Sequence, residues 1–177
     1  MSSSLKIGSS NHIPQQTTVN GKYISLLGET YYCIENYDAM SPFFMSIVSS
    51  ADHWLFISST GGLTAGRINA ESALFPYETD DKITESSETT GPLSIFLVSR
   101  GETTSLWEPF SDRYTGLYNI ERKLYKNISG DKLIFEESNL DLDLTCRQAW
   151  RTSDRFGFVL STWLHNHSND SVNIRLL

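Results

Sequence analysis

Leu140-Asp-Leu-Asp-Leu-Thr145 alternates apolar and polar side chains without a break. That is the period of a strand with one face buried and one face wet. Just upstream, apolar-rich runs at 117–125 and 133–135 flank Asn127-Ile-Ser-Gly-Asp131. Asn, Gly and Asp between two such runs predict a hairpin turn. Downstream, residues 156–163 make a long β-rich run that ends in the polar turn His165-Asn-His-Ser-Asn-Asp170, after which Val172, Ile174 and Leu176 alternate again.

The same rhythm extends towards the N-terminus. Residues 22–27 end at Gly28, 30–34 end at Glu35-Asn36, and 42–48 are followed by Ser49-Ser-Ala-Asp52. Residues 54–58 run into Thr60-Gly-Gly62, and 93–98 close at Arg100-Gly101. No ten-residue helical period with a cap occurs. Strands recurring about every 8–12 residues predict an all-β fold, an antiparallel β-sandwich. Residues 1–20, polar and aperiodic, read as a lead-in, and 21–177 as one sandwich domain. Residues 171–177 read as the opening of a buried strand that stops without a turn, so the domain is expected to be truncated and the natural protein to continue.

Composition narrows the function. The 177 residues are 39% hydrophobic and 20% charged, as in a globular domain, and the 9 Phe, 8 Tyr and 4 Trp favour sheet. A chain of this length buries about 70% of its unfolded surface and needs no staple. The net charge of −7 repels phosphate backbones, so no nucleic-acid partner is expected, although a neutral ligand is not disfavoured. Met1-Ser-Ser-Ser-Leu-Lys-Ile-Gly8 has no apolar signal core, and no run approaches the ~20 apolar residues that cross a bilayer. The expected location is cytoplasmic, with no membrane partner. Cys33 and Cys146 each lie in a strand-like run and are expected to be buried free thiols.

Four groups of residues invite a chemical reading. Glu136, Glu137, Asp141 and Asp143 form an acidic stretch, and paired carboxylates cleave glycosides. On an alternating strand, however, they read as ordinary wet-face residues. His165 and His167 project to one side of an extended segment, but zinc needs more ligands and no third is nearby, so a solvated turn is expected. Ser58-Ser-Thr-Gly-Gly-Leu-Thr-Ala-Gly-Arg67 matches neither the phosphate loop nor the dinucleotide fingerprint; it reads as a hairpin, with Arg67 available as a hydrogen-bonding fork for a ligand. Trp54, Trp107, Trp150 and Trp163 could offer flat faces to sugar rings. Trp150 and Trp163 sit in strong strand patterns and are expected in the core. Trp107, where Pro109 interrupts the strand, is the expected exposed platform.

Tyr118-Asn-Ile-Glu-Arg-Lys-Leu-Tyr-Lys-Asn-Ile-Ser-Gly-Asp-Lys-Leu-Ile-Phe-Glu-Glu-Ser-Asn139, then Leu142-Asp-Leu-Thr145, Trp150-Arg-Thr-Ser-Asp-Arg-Phe-Gly-Phe158 and Leu164-His-Asn-His-Ser168, resembles the N-terminal β-sandwich of large glycoside hydrolases and sugar phosphorylases whose catalytic unit is an (α/α)6 barrel. Residues 58–76, running into Tyr77, are similar to the Gly-Gly … Pro-Tyr segment of those proteins. The resemblance covers about residues 30–177. It implies a supersandwich of the galactose-mutarotase-like type, carbohydrate and the chain's own C-terminal catalytic domain as partners, and homo-oligomer contacts. It also implies that the general acid lies outside this segment, with no catalytic residue, metal or cofactor here. The expected ligand-binding set is Arg67, Tyr77 and Trp107. The alternatives are a stand-alone carbohydrate-binding module, a small epimerase using His165 or His167 with a Glu, and a module that self-associates through an edge strand at 171–177.

Overall fold

The computed structural model describes residues 4–75 and 77–177. The largest sheet has six antiparallel strands in the order β12-β11-β10-β9-β3-β2. They are β2 (Asn20–Leu26), β3 (Glu29–Glu35), β9 (Ile120–Asn127), β10 (Lys132–Asn139), β11 (Leu144–Ser153) and β12 (Gly157–Asn166). A three-stranded antiparallel sheet joins β4 (Phe44–Ile47), β5 (His53–Ser58) and β6 (Leu63–Arg67). A four-stranded sheet has the order β1-β8-β7-β13, from β1 (Ser4–Lys6), β7 (Phe96–Arg100), β8 (Thr103–Trp107) and β13 (Asn173–Leu176); β1 runs parallel to β8. The one α-helix among the described residues is α1 (Asp80–Ile83), and none there is long and apolar enough to cross a membrane. The fold is an all-β sandwich.

Strand parity builds the two layers. On β10, Leu133, Phe135, Glu137 and Asn139 face the smaller sheets, while Ile134, Glu136 and Ser138 face the other way. Ile47, Leu55, Ile57, Leu63 and Ala65 of the three-stranded sheet pack on Leu124, Leu133, Phe135 and Trp150 of the large one. Phe96, Val98 and Trp107 of the four-stranded sheet pack beside Leu144 and Cys146 in a second core. The two small sheets therefore share one face of the large sheet, and Phe110 touches both cores. Cys33 and Cys146 are buried free thiols, as the sequence led us to expect.

The stretch that first spoke for strands is itself mostly a turn. Only Leu144 and Thr145 belong to β11; residues 140–143 connect it to β10. Asn139 Oδ1 accepts the Leu142 N–H at 3.1 Å, Asp141 accepts the Asn119 N–H at 2.9 Å, and Asp143 has φ of 51°. This drops Leu142 into the second core and leaves Leu140 exposed, so the alternation records a turn over a core rather than a pleat. The C-terminal strand also differs from expectation. β13 pairs with β7 at the sheet edge, and Leu176 and Leu177 are 62% and 65% exposed rather than buried. The lead-in is docked: besides β1, Ser9 and Ile13 donate backbone hydrogen bonds to Leu117 and Gly116.

Candidate functional site

The face of the six-stranded sheet turned away from the smaller sheets carries a groove of about 1030 Å3. An antiparallel sheet can leave one face to solvent, and here the floor is apolar where Tyr31, Cys33, Tyr125 and Ile134 pack together. Alternation places a polar row beside that floor. Strand register sets Lys123 opposite Glu136, Glu136 opposite Arg147, and Arg147 opposite Trp163. Neighbouring strands lie about 4.8 Å apart, so the row crosses four strands within roughly 15 Å.

Glu136 is the anchor of this row. It is 5% exposed, its Oε1 accepts the Tyr125 hydroxyl at 2.8 Å, and its Oε2 accepts the Arg147 Nε–H. Burial and then the bond to Glu136 push the Tyr125 phenol well above its ordinary value, which keeps it a proton donor. With Nε held, the Arg147 side chain remains 43% exposed, and its terminal nitrogens make no hydrogen bond among the described residues. Trp163 beside it is 51% exposed and lines the groove.

One residue pair further along the strands lies a chain of hydroxyls and imidazoles. Ser138 and Thr145 join at 2.8 Å, and Thr145 Oγ1 meets His167 Nε2 at 2.8 Å. The His165 and His167 rings stand edge to face with centroids 4.4 Å apart. Glu121 and Asp143 line this end of the groove. Among the described residues, no three His, Cys, Asp or Glu side chains gather to hold a metal. The groove thus offers a flat aromatic face, one fixed guanidinium fork and several neutral donors and acceptors, a set suited to a polar organic ligand.

The expected ligand residues do not meet here. Trp107 is 1% exposed: as the last residue of β8, opposite Phe96, it turns into the second core, and its indole N–H donates to Glu137 Oε1 at 2.7 Å. It is a structural residue, not a platform. Arg67 and Tyr77 are exposed on the three-stranded sheet instead, where the Tyr77 ring stands against Trp54 at 5.9 Å. Pro76, beside Tyr77, lies outside the described residues. Trp150 is buried as expected, but Trp163 is not: β12 is an edge strand, and Trp163 shares the groove face with Arg147. Glu136 and Glu137, expected on a wet face, are 5% and 1% exposed, and Arg147 and Lys123 carry no sequence signal of their own, because neither the shared face nor the open side of that face is visible along one strand. Two-residue spacing on β10 and β11 carried the parity, but not which parity was wet. No model of a known protein family matches the chain, and no curated protein is similar enough to count as a relative.

Proposed function

We propose that the chain is a carbohydrate-binding sandwich, the non-catalytic N-terminal domain of a larger carbohydrate-active enzyme, and that the groove of the six-stranded sheet is its sugar site. The observation that carries this reading is the exposed Trp163 beside the fixed Arg147, above the hydrogen-bonding groups of Ser138, Thr145 and His167. A sugar ring offers an apolar C–H face to an aromatic ring and hydroxyls at its rim to just such groups. The resemblance in the sequence supports the assignment to an enzyme of the glycoside hydrolase or phosphorylase kind. Titration of the protein with neutral and acidic oligosaccharides, followed by Trp fluorescence, tests it. Binding that weakens at least about tenfold in Trp163→Ala supports the proposal, because loss of one stacking face removes over 1 kcal/mol. Absence of binding to every sugar overturns it.

A second reading, a mutarotase-like epimerase, is favoured by His165 and His167 lying in the same groove as Glu121. Acid and base groups on either side of a sugar are what ring opening requires. Anomer interconversion measured by polarimetry decides it: no acceleration above buffer removes this reading.

A further inference from the structure

Charges in the groove are sorted along its length. Arg151 lies four residues after Arg147 on β11, on the same face, and Lys123 lies on the Arg147 row. Neither Lys123 nor Arg151 makes an ion pair among the described residues, although Lys123 stands opposite Glu35 in the register. Lys132, nearby, is occupied by Glu29. The unpaired acids Glu121 and Asp143 sit at the other end, with the imidazole pair. The carboxylate nearest the middle, Glu136, is already saturated by Tyr125 and Arg147. Its role is to hold the guanidinium through Nε and turn the Nη edge towards solvent. An Arg fork fixed in this way is pre-organised for two parallel bonds to a carboxylate or phosphate, and little side-chain entropy remains to be lost.

We infer that the groove selects sugars bearing an oxyanion, with the sugar ring on Trp163 and its carboxylate or phosphoryl group on the Nη edge of Arg147, Lys123 and Arg151 adding a screened attraction. This rests on the carbohydrate reading above and narrows it to a substrate class. Binding involves no covalent step. The hydroxyl chain of Ser138, Thr145 and His167 is left to meet the sugar's neutral hydroxyls.

The test uses the full chain and three ligand sets: hexuronate trimers, neutral hexose trimers of the same linkages, and hexose 6-phosphates, titrated by calorimetry at low and moderate salt. At low salt, at least one oxyanion-bearing sugar is expected to bind about tenfold or more tighter than its neutral counterpart, the gain of a charge-assisted pair over a neutral bond. That advantage shrinks as salt rises. Arg147→Ala removes the advantage, so that acidic and neutral sugars bind alike, Arg147→Lys retains part of it, and Trp163→Ala weakens both ligand kinds together. Should Arg147→Ala unfold, seen as loss of the native melting transition, Arg147→Lys and the salt dependence of the unaltered protein carry the decision. A preference shown by the phosphates and not the uronates supports the oxyanion site and identifies a phosphoryl group as its ligand. Equal binding of acidic and neutral sugars, both weakened by Trp163→Ala, overturns this inference and leaves the carbohydrate reading standing. No binding by any sugar overturns both.

Discussion

Glu137 shows how much one buried carboxylate organises. At 1% exposure, it accepts the Trp107 indole N–H at 2.7 Å, the Phe110 backbone N–H at 2.6 Å and Arg122 Nε at 2.8 Å. One side chain thereby ties the large sheet to the end of β8 and to the loop that follows. Burial opposes the charge on Arg122, but Glu137, Tyr37 and Asp112 together raise its pKa above the ordinary value, so the guanidinium stays charged. Glu137→Gln keeps the shape but offers an amide to groups that are all donors, and it leaves Arg122 without its one buried carboxylate partner among the described residues, with only the more exposed Asp112 and Asp38 remaining. Loss of about 3–5 kcal/mol is expected, measured by chemical denaturation; a loss under about 1 kcal/mol would sink the argument. The cysteines provide a second check at this scale. Burial pushes the Cys146 thiol up to about 12 and raises Cys33 in the same direction. Only the thiolate attacks an electrophile, so at pH 8 the native protein should leave both thiols unlabelled by a maleimide, and denaturant should expose both. Fast labelling of either thiol in the folded protein would contradict this burial.

At the scale of elements, the β9–β10 hairpin is where sequence and structure agree most closely. Asn127, last in β9, donates through Nδ2 to Ser129 Oγ at 2.8 Å and to Asp131 Oδ1 at 2.6 Å, while its Oδ1 accepts the Lys132 N–H at 2.9 Å. Asn127→Ala should cost about 1–3 kcal/mol, the penalty for unmaking such bonds at a buried site. It should also change the acid limb of stability. The bond from Asn127, with help from Ser129, holds the Asp131 carboxyl below its ordinary 3.8. A depressed carboxyl stabilises the fold above that ordinary value, and its contribution is lost as pH falls through the lower folded value. The variant should therefore lose less stability than the parent between about pH 4 and pH 2, as pH-dependent melting would show; parallel curves would refute the linkage. Turn chemistry of this kind is local, which is why Asn127 through Asp131 could be read directly. The alternation at 140–145 misled because a turn over a core can copy a pleat. β1 escaped notice because its three residues are all exposed and paired only with β8. Trp107 and Trp163 exchanged their expected places for one reason: parity tells which residues share a face, while the sheet that covers the face comes from distant sequence.

At the scale of the molecule, two cores lie side by side on one sheet, and the question is whether they unfold together. The core under the three-stranded sheet holds Ile57 and Trp150; the one under the four-stranded sheet holds Val98, Trp107 and Cys146. Their buried members differ, yet β11 supplies Trp150 to the first and Leu144 and Cys146 to the second, and Phe110 packs against each. A strand cannot lose its partners on one half without disturbing the ladder on the other, so one cooperative transition is expected. Ile57→Val removes a methylene from the first core and should cost about 0.5–1.5 kcal/mol. Val98→Ala removes about two from the second and should cost about 1.5–3 kcal/mol, transfer and cavity together. Because the two residues belong to different cores, the double variant should lose the sum to within about 0.5 kcal/mol. In every variant, far-ultraviolet dichroism and denaturant-induced labelling of Cys146, which reports the second core alone, should trace the same midpoint. If Ile57→Val moved the dichroism midpoint and left the Cys146 midpoint in place, the two cores would be separate folding units, and the shared six-stranded sheet would not be what couples them.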